Sequence, residues 1–262
     1  MKKIALILAI ISLNLSQLRA QDTGETPVRQ ESQKLRMGLS VSPLISWFSA
    51  DGDAGRVTTN GTRFNIKYGL HIDTRLGSNP NYYFSTGLFV LNTGGTLTHD
   101  YFREIPGTNG SIQATERTAA YRFNYVNIPV TMMLRTNEIG YLTYFARVGF
   151  DAGFNIKATA DFEDKFDGEV ITTEDEDASD FAGLFRAGLH IEGGIEYNFS
   201  GNSRFVISLE WNNGLNNIFD SDYKLPVFDS DGDLIIEDGS VKTDRRVKGS
   251  NNSIMLNLGI YF

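Results

Sequence analysis

The stretch Ser253-Ile254-Met255-Leu256-Asn257-Leu258-Gly259-Ile260-Tyr261-Phe262 decides the fold. Apolar residues alternate with small or polar ones, so a strand would place Ile254, Leu256, Leu258, Ile260 and Phe262 on one face. A terminal strand with an apolar outer face and an aromatic last residue is typical of outer-membrane β-barrels. We expect the barrel insertion machinery to recognise this C-terminal strand.

The first twenty residues have the pattern of a secretory signal peptide. Lys2 and Lys3 form a basic start, and the apolar run from Ile4 to Leu15 is too short to span a bilayer. Ala20 precedes the predicted cleavage site, and an uncleaved anchor is the alternative. Residues 21–34 are polar and lack periodicity. We therefore predict a signal peptide over 1–20, a disordered periplasmic lead-in over 21–34, and an outer-membrane β-barrel over 35–262.

Composition excludes several classes of protein. The chain has no cysteine, which rules out a lipid-modified cysteine, disulfides, thiol catalysis and cysteine-based metal sites. Removing Lys2, Lys3 and Arg19 leaves 21 of the 24 basic residues against 32 acidic ones, a net charge of −11. Such a charge argues against nucleic acid as a partner. No later stretch approaches 18 consecutive apolar residues, so the predicted contact with outer-membrane lipid has to be made by strands.

A period of two recurs from Leu35 onward and predicts eight strands. They cover about 35–47, 64–73, 82–92, 121–135, 141–156, 183–197, 204–215 and 253–262. Most run for about 12–15 residues, which exceeds the usual soluble strand and is enough to cross a membrane while tilted. Phe89 and Leu91 blur the alternation of the third strand. The pattern predicts an all-β, eight-stranded antiparallel up-and-down barrel.

The connections between the strands alternate in length. Long segments cover about 49–61, 93–119, 158–181 and 217–250, and short turns cover 77–81, 136–138 and 200–202. Short periplasmic turns and long outer loops are typical of membrane barrels. A soluble β-sandwich or lipocalin-like barrel is the alternative, because alternation alone does not say which face points inward. Strand length, connection length and the polar second face all favour the membrane barrel.

The second face carries charges of both signs. These residues are Lys67, Asp73, Arg75, Arg147, Asp151, Arg186, Glu192, Glu196 and Glu210. Buried charges are costly unless they are paired, and the bore of an eight-stranded barrel is just filled by side chains. We predict a mutually neutralising network that plugs the bore, with a narrow ion or solute path as the alternative.

Two histidines, His71 and His190, share this inner face. With serines and glutamates nearby, they raise the hypothesis of a hydrolase triad like those of some outer-membrane lipases. No Gly-x-Ser-x-Gly motif supports it. We predict hydrogen-bonded core histidines, no catalytic residue and no cofactor.

Two acidic segments raise the question of a metal. Ten acidic residues between Lys157 and Asp180 face only two bases, Lys157 and Lys165, which indicates a solvated, mobile loop or a divalent-cation site. The segment Asp229–Asp233 looks like a calcium loop, but its sixth position is Leu234 rather than Gly and its twelfth is not Glu. We predict a hairpin there, with a count of ten strands as the alternative to eight, and no metal ligand.

The chain resembles the PorT-like outer-membrane barrels of the Bacteroidetes, within the OmpA/OmpX-like group. The motifs are Tyr125-Val126-Asn127-Ile128-Pro129-Val130, similar to Tyr-Leu-Glu-Ile-Pro-Leu, then the segment 207–218 that leads into Gly-Leu-x-Asn-Ile, and the Leu-x-Leu-Gly-x-x-Phe ending. Asn127 stands where the family has an acidic residue. The resemblance implies an eight-stranded barrel in the outer membrane, and the family's namesake assists type IX secretion.

These observations favour a non-enzymatic envelope protein. We predict a structural, partner-binding or secretion-accessory role, with envelope or type IX secretion proteins as partners. The first alternative is an outer-membrane lipid hydrolase or acyltransferase. The second is a soluble periplasmic lipocalin-like binding protein.

Overall fold

The computed structural model describes residues 34–50, 57–104, 112–166, 169–201, 203–220, 223–231, 233–238 and 240–262. The predicted signal peptide, and the lead-in except for Lys34, lie outside the described residues. Eight long strands build the barrel: β1 (Leu35–Ala50), β2 (Arg63–Arg75), β3 (Tyr82–Glu104), β4 (Ile112–Arg135), β5 (Leu142–Phe166), β6 (Phe185–Ser200), β7 (Ser203–Gly214) and β8 (Gly249–Tyr261).

The barrel is closed and antiparallel throughout. Each strand pairs with the next one along the chain, from β1–β2 to β7–β8. The ring closes where β1 pairs with β8, with Gly38 opposite Tyr261 and Ala50 opposite Gly249. This arrangement confirms the predicted eight-stranded barrel. Closure leaves no open sheet edge in lipid, where unpaired backbone groups would be costly.

Three of the strands are longer than the sequence predicted. The prediction ended the third strand at about 92 and began the fourth at 121, but β3 reaches Glu104 and β4 begins at Ile112. β5 likewise continues past 156 to Phe166. Much of the two segments predicted as loops, 93–119 and 158–181, therefore forms strands that project beyond the membrane. The short strand Val57–Thr59 pairs with the top of β3, and the strand Glu169–Asp177 pairs with the top of β5.

The last outer segment forms small hairpins outside the barrel. Lys224–Pro226 pairs with Thr243–Arg246, and Ile236–Glu237 pairs with Ser240–Val241. These strands belong to separate two-stranded sheets, so the barrel keeps eight strands and the count of ten is wrong. A single 3-10 turn, Ser179–Phe181, is the one helical element among the described residues.

No helix in the described part of the chain is long and apolar enough to cross a membrane.

Across the lower part of the barrel, apolar side chains point outward. Leu39, Leu88 and Leu209 are 55%, 55% and 61% exposed, while the charged and polar side chains of the alternate positions are buried inside. We call this outward apolar band the membrane belt; on β4 it runs from Val126 to Leu134. An apolar exterior of this kind suits lipid and not water, so the soluble lipocalin-like alternative is wrong.

Above the membrane belt, the outward positions of the strands become polar and the inward positions become apolar. On β4, Arg122 and Asn124 point outward, whereas Tyr121, Phe123 and Tyr125 point inward and are fully buried. The projecting strands therefore enclose an apolar interior, as a water-soluble protein does. We call the buried apolar residues of this interior the outer core. Its larger members are Phe48, Leu91, Leu97, Tyr121, Phe123, Tyr125, Phe162, Ile218, Phe219, Tyr223, Leu225 and Val247.

Candidate functional site

The bore inside the membrane belt is filled by an ion-pair network, which we call the ionic core. At its centre, Arg147 on β5 places Nη1 3.0 and 2.9 Å from the two carboxylate oxygens of Glu192 on β6. Arg147 Nη2 lies 3.4 Å from Asp73 Oδ2 and donates a hydrogen bond to the Tyr261 hydroxyl at 3.0 Å. Ser208 and Asn257 donate further hydrogen bonds to Glu192. These contacts tie strands on opposite sides of the bore together.

His190 lies beside this pair, between three carboxylates. Its Nδ1 is 3.2 Å from Asp151 Oδ1 and 3.3 Å from Glu210 Oε1, and its Nε2 is 3.3 Å from Glu192 Oε2. A neutral imidazole would turn a lone pair toward a carboxylate on one side. We therefore assign His190 as an imidazolium that donates from both nitrogens.

Charge in the ionic core balances once His190 is positive. Lys67 contacts Glu210, and Arg186 reaches Asp151 through the side chain of Asn212. The cations Lys67, Arg147, Arg186 and His190 face the anions Asp73, Asp151, Glu192 and Glu210. All eight side chains are almost completely buried. Such a set is stable only as a unit, because removing one member leaves an uncompensated buried charge.

The sequence correctly placed these residues on the inner face. Eight of the nine predicted charges are buried in the bore, and Arg75 is half-buried at its periplasmic end. His71 also points inward and packs edge-on against Phe89, with ring centroids 4.6 Å apart. The network also includes Arg36, Arg135 and Arg204, which were not predicted, although the period of two places Arg36 and Arg135 on the same face.

The predicted alternative of a hydrolase triad finds no matching geometry. In the described part of the chain, no serine hydroxyl is hydrogen-bonded to His190, whose nitrogens face carboxylates instead. The nearby hydroxyls of Ser208 and Ser85 donate to Glu192 and Asp73. The arrangement pairs charges and does not bring a nucleophile to a base.

One group in the ionic core has the composition of a metal site. Asp151, His190 and Glu210 each offer a ligand atom, and these atoms lie within 4.8 Å of one another. One imidazole with two carboxylates suits a divalent transition metal. However, Glu210 already binds Lys67, and Asp151 accepts a hydrogen bond from Asn212. Each of the three residues thus already has a protein partner, and the absence of a metal ligand stays a prediction.

The outer core closes the bore above the ionic core. Phe219 from the last outer segment packs against Phe48 of β1 and Tyr121 of β4, with ring centroids 5.5 Å apart in both pairs. Phe48 also contacts Phe123 at 5.9 Å. Rings from opposite sides of the barrel therefore meet across its mouth.

A chain of hydrogen bonds runs through the outer core. The Tyr121 hydroxyl donates to the Tyr223 hydroxyl at 2.8 Å, and Tyr223 hydrogen-bonds His99 Nε2. His99 Nδ1 lies 2.8 Å from the carbonyl oxygen of Asp100. Burial lowers the pKa of His99, and the charge of Arg117 lowers it further. A neutral His99 with its proton on Nδ1 fits both partners, with Tyr223 as the donor to Nε2.

The acidic segments are structured where they are described. Arg122 contacts Asp161 at 2.5 Å and Asp175 at 2.6 Å, which holds the strand Glu169–Asp177 beside β5. This strand replaces the predicted solvated loop. In the last outer segment, Asp229 Oδ1 accepts the backbone N–H groups of Asp231 and Asp233, both at 2.9 Å. Phe228 and Leu234 form a bridge around this turn, which confirms the predicted hairpin.

A closed barrel with a lipid-facing apolar belt and a filled polar bore defines an outer-membrane β-barrel protein. The chain belongs to the outer membrane protein beta-barrel domain family, whose model matches residues 19–220. The protein is located in the outer membrane. No curated protein sequence matches the chain.

Solved barrels are similar to this chain at low identity. The outer membrane protein OprG from Pseudomonas aeruginosa is 12% identical, with 90% of this chain and 99% of that chain covered and a TM-score of 0.43. The outer membrane protease OmpT from Escherichia coli is 10% identical, with 93% and 99% covered and a TM-score of 0.42. The attachment invasion locus protein Ail of Yersinia pestis is 13% identical, with 88% and 100% covered and a TM-score of 0.33. Similarity this low says nothing of activity.

Proposed function

We propose that the protein is a non-enzymatic, non-conducting barrel that binds a partner at the cell surface. The observation that carries the proposal is that the bore is filled twice, by the ionic core within the membrane and by the outer core above it. A bore of this kind offers no path for solutes. The surfaces left for function are therefore the two ends of the barrel.

The outer end presents an extended sheet. Above the membrane belt, β3, β4 and β5 continue side by side, flanked by Val57–Thr59 and by Glu169–Asp177. Among the described residues, the strand Glu169–Asp177 pairs with β5 on one side only. Unpaired strand edges bind extended segments of other chains by strand addition.

The charge of this edge indicates what it binds. Glu174, Glu176 and Asp177 are exposed, and Val170 is 57% exposed. A partner that adds a strand here has to carry basic side chains beside apolar ones, because like charges would repel across the pair. We therefore propose an extended basic segment of a surface or secreted protein as the partner.

Two measurements test this function. The purified protein in planar bilayers should show no stable conductance, and regular single-channel steps would overturn the non-conducting bore. A nine-residue peptide of alternating Lys and Val should bind to proteoliposomes and lose affinity about tenfold in the Glu174→Lys/Glu176→Lys variant. Asp231→Lys is the matched control, since Asp231 lies in a separate hairpin. Equal binding by all three proteins would overturn the edge as the binding surface.

The resemblance to PorT-like barrels supports a second candidate, an accessory role in type IX secretion. A specific feature favours this role. Arg36, Arg135 and Arg204 cluster around Glu196 at the periplasmic end, where a secretion component would meet the barrel. The test is to delete the gene and compare proteins in the culture medium with those retained in the periplasm. Retention of cargo supports secretion, and unchanged export excludes it.

A further inference from the structure

Arg186 is the one cation of the ionic core without a carboxylate within 4 Å in the described part of the chain, whereas the other three each contact one. Its Nη2 donates to the side chain of Asn212 and, at 3.3 Å, to the carbonyl oxygen of Asn251. Its Nε and Nη1 donate to no described residue. Arg186 is 0% exposed. A buried guanidinium in this state is costly unless another group accepts its hydrogen bonds.

A space in the lining of the bore lies beside Arg186. Asn127 on β4, Gly153 on β5 and Arg186 on β6 are direct cross-strand neighbours on the inner face. Adjacent strands are about 4.8 Å apart, so the backbones of Asn127 and Arg186 are separated by about 10 Å with no side chain between them. A Cβ placed on Gly153 would lie 3.4 Å from Asn127 Oδ1, 3.4 Å from the Tyr125 ring and 3.5 Å from Arg186 Cβ. These are ordinary contacts, so a group of the size of a methyl or a water fits there.

Polar groups around this space lack hydrogen-bond partners. Besides Arg186 Nε and Nη1, the buried atoms Asn127 Oδ1 and Asn155 Nδ2 make no hydrogen bond within the described residues. Asn155 lies two residues after Gly153 on the same face of β5 and pairs with Tyr125 of β4. The guanidinium of Arg186 interacts electrostatically with the Tyr125 hydroxyl, so it lies on this side of the bore. Unpartnered donors and an unpartnered acceptor therefore border the same space.

We propose that a water molecule is bound over Gly153 and forms part of the ionic core. The mixed set of groups decides the ligand. Arg186 excludes a cation, while an anion would face Asn127 Oδ1 and would unbalance the four cations and four anions of the ionic core. Water accepts from Arg186 and donates to Asn127, and ordering one water costs less than leaving buried polar groups unpaired. The site lies inside the bore and is independent of the partner proposed for the surface sheet.

Replacing Gly153 by alanine tests the site, because the methyl group would occupy it. The methyl makes only ordinary contacts, and alanine within a strand is more stable than glycine. Without a bound water, Gly153→Ala should therefore raise the melting temperature in detergent or leave it unchanged. With the water displaced, we expect the melting temperature to fall by several degrees. A folded Gly153→Ala barrel that is at least as stable as the unmodified protein overturns the proposal.

Gly193→Ala is the matched control for this variant. Its methyl group meets nothing within 4 Å, so we expect no fall in the melting temperature. Heat-modifiable migration on gels shows that both variants are folded.

A crystal structure of the unmodified full chain, grown with sodium bromide, identifies the ligand without any variant. We expect density for a water within hydrogen-bond distance of Asn127 Oδ1 and of Nε or Nη1 of Arg186, with no anomalous signal. An anomalous peak at this position would show bromide, and the site would then bind anions instead of water. The absence of density there would also overturn the bound water.

Discussion

Arg147 and Glu192 are direct cross-strand neighbours on β5 and β6, and one guanidinium nitrogen contacts both carboxylate oxygens. Both side chains are at most 2% exposed. The ion pair is therefore shielded from solvent. It is the point at which the ionic core joins Asp73 on β2, His190 on β6 and Tyr261 on β8.

Removing one member of this pair should be strongly destabilising. Arg147→Met leaves Glu192 and Asp73 without their shared cation, which we expect to cost about 3–5 kcal/mol in the free energy of unfolding. The double variant Arg147→Met/Glu192→Met should recover part of that loss. Urea unfolding in detergent micelles measures both. Val148→Ala, a change at the lipid-facing neighbour, is the control and should have a small effect. An equally small effect of Arg147→Met would contradict the role of the pair.

Phe219 should hold the outer core closed. It is 3% exposed and contacts rings from β1 and β4, so Phe219→Ala should destabilise the outer core by about 3–5 kcal/mol. When protease is added to whole cells, we expect it to cut the last outer segment of this variant faster than that of the unmodified protein, while the membrane-embedded part stays intact. Phe150→Ala, on the lipid face, serves as the comparison. Unchanged proteolysis of the Phe219→Ala protein would argue against a closed outer core.

Acid should loosen the outer core. His99 lies well beyond Val90, a residue of the membrane belt on β3, and burial lowers the pKa of this histidine below its usual 6.5. A lowered folded pKa contributes stability that is complete above about pH 6.5 and is lost as the pH falls through the folded pKa. Proteolysis of the outer segments should therefore speed up between pH 7.5 and 5.5. His99→Gln should flatten that dependence, and a steeper response in the variant would contradict it.

Alanine should destabilise the barrel at Gly87 but not at Gly193. A methyl group at Gly87 on β3 would lie 2.1 Å from the carbonyl oxygen of Leu70 and 2.6 Å from the Phe89 ring. Because the first clash is with backbone, Gly87→Ala should cost about 1–3 kcal/mol or more. A methyl group at Gly193 on β6 meets nothing within 4 Å, so Gly193→Ala should be nearly neutral. Thermal unfolding of the two folded barrels tests this contrast.

The sequence predicted the membrane part of the fold well. A side-chain period of two says which residues share a face, and a lipid exterior makes the contrast between Leu256 or Leu258 and Asn257 unusually clear. The inward position of Lys67, Arg147, His190 and Glu210 follows from the same rule. Which charge pairs with which does not follow, because partners such as Arg147 and Asp73 lie on strands that are not neighbours.

The outer half of the barrel was missed for a physical reason. Phe89 and Leu91 on β3 point inward, and so do Tyr121 and Phe123 on β4. The apolar residues change to the other face at the membrane surface while the strands continue. On a sequence, such a change resembles the end of a strand, and the predicted boundaries at about 92 and 121 fall at that point. Only the pairing of β3 with β4 up to Glu104 and Ile112 distinguishes the two cases.

This change of facing also determines how deep the barrel lies in the bilayer. Shifting the barrel toward the periplasm by two residues, about 7 Å, would carry Asn124 and then Arg122 into hydrocarbon. Shifting the barrel toward the cell exterior would expose Val126 and its neighbours to water. A barrel with uniform faces could slide to match bilayers of different thickness, but this one cannot. The lipid around it has to thin or thicken instead, so the protein imposes its own local membrane thickness.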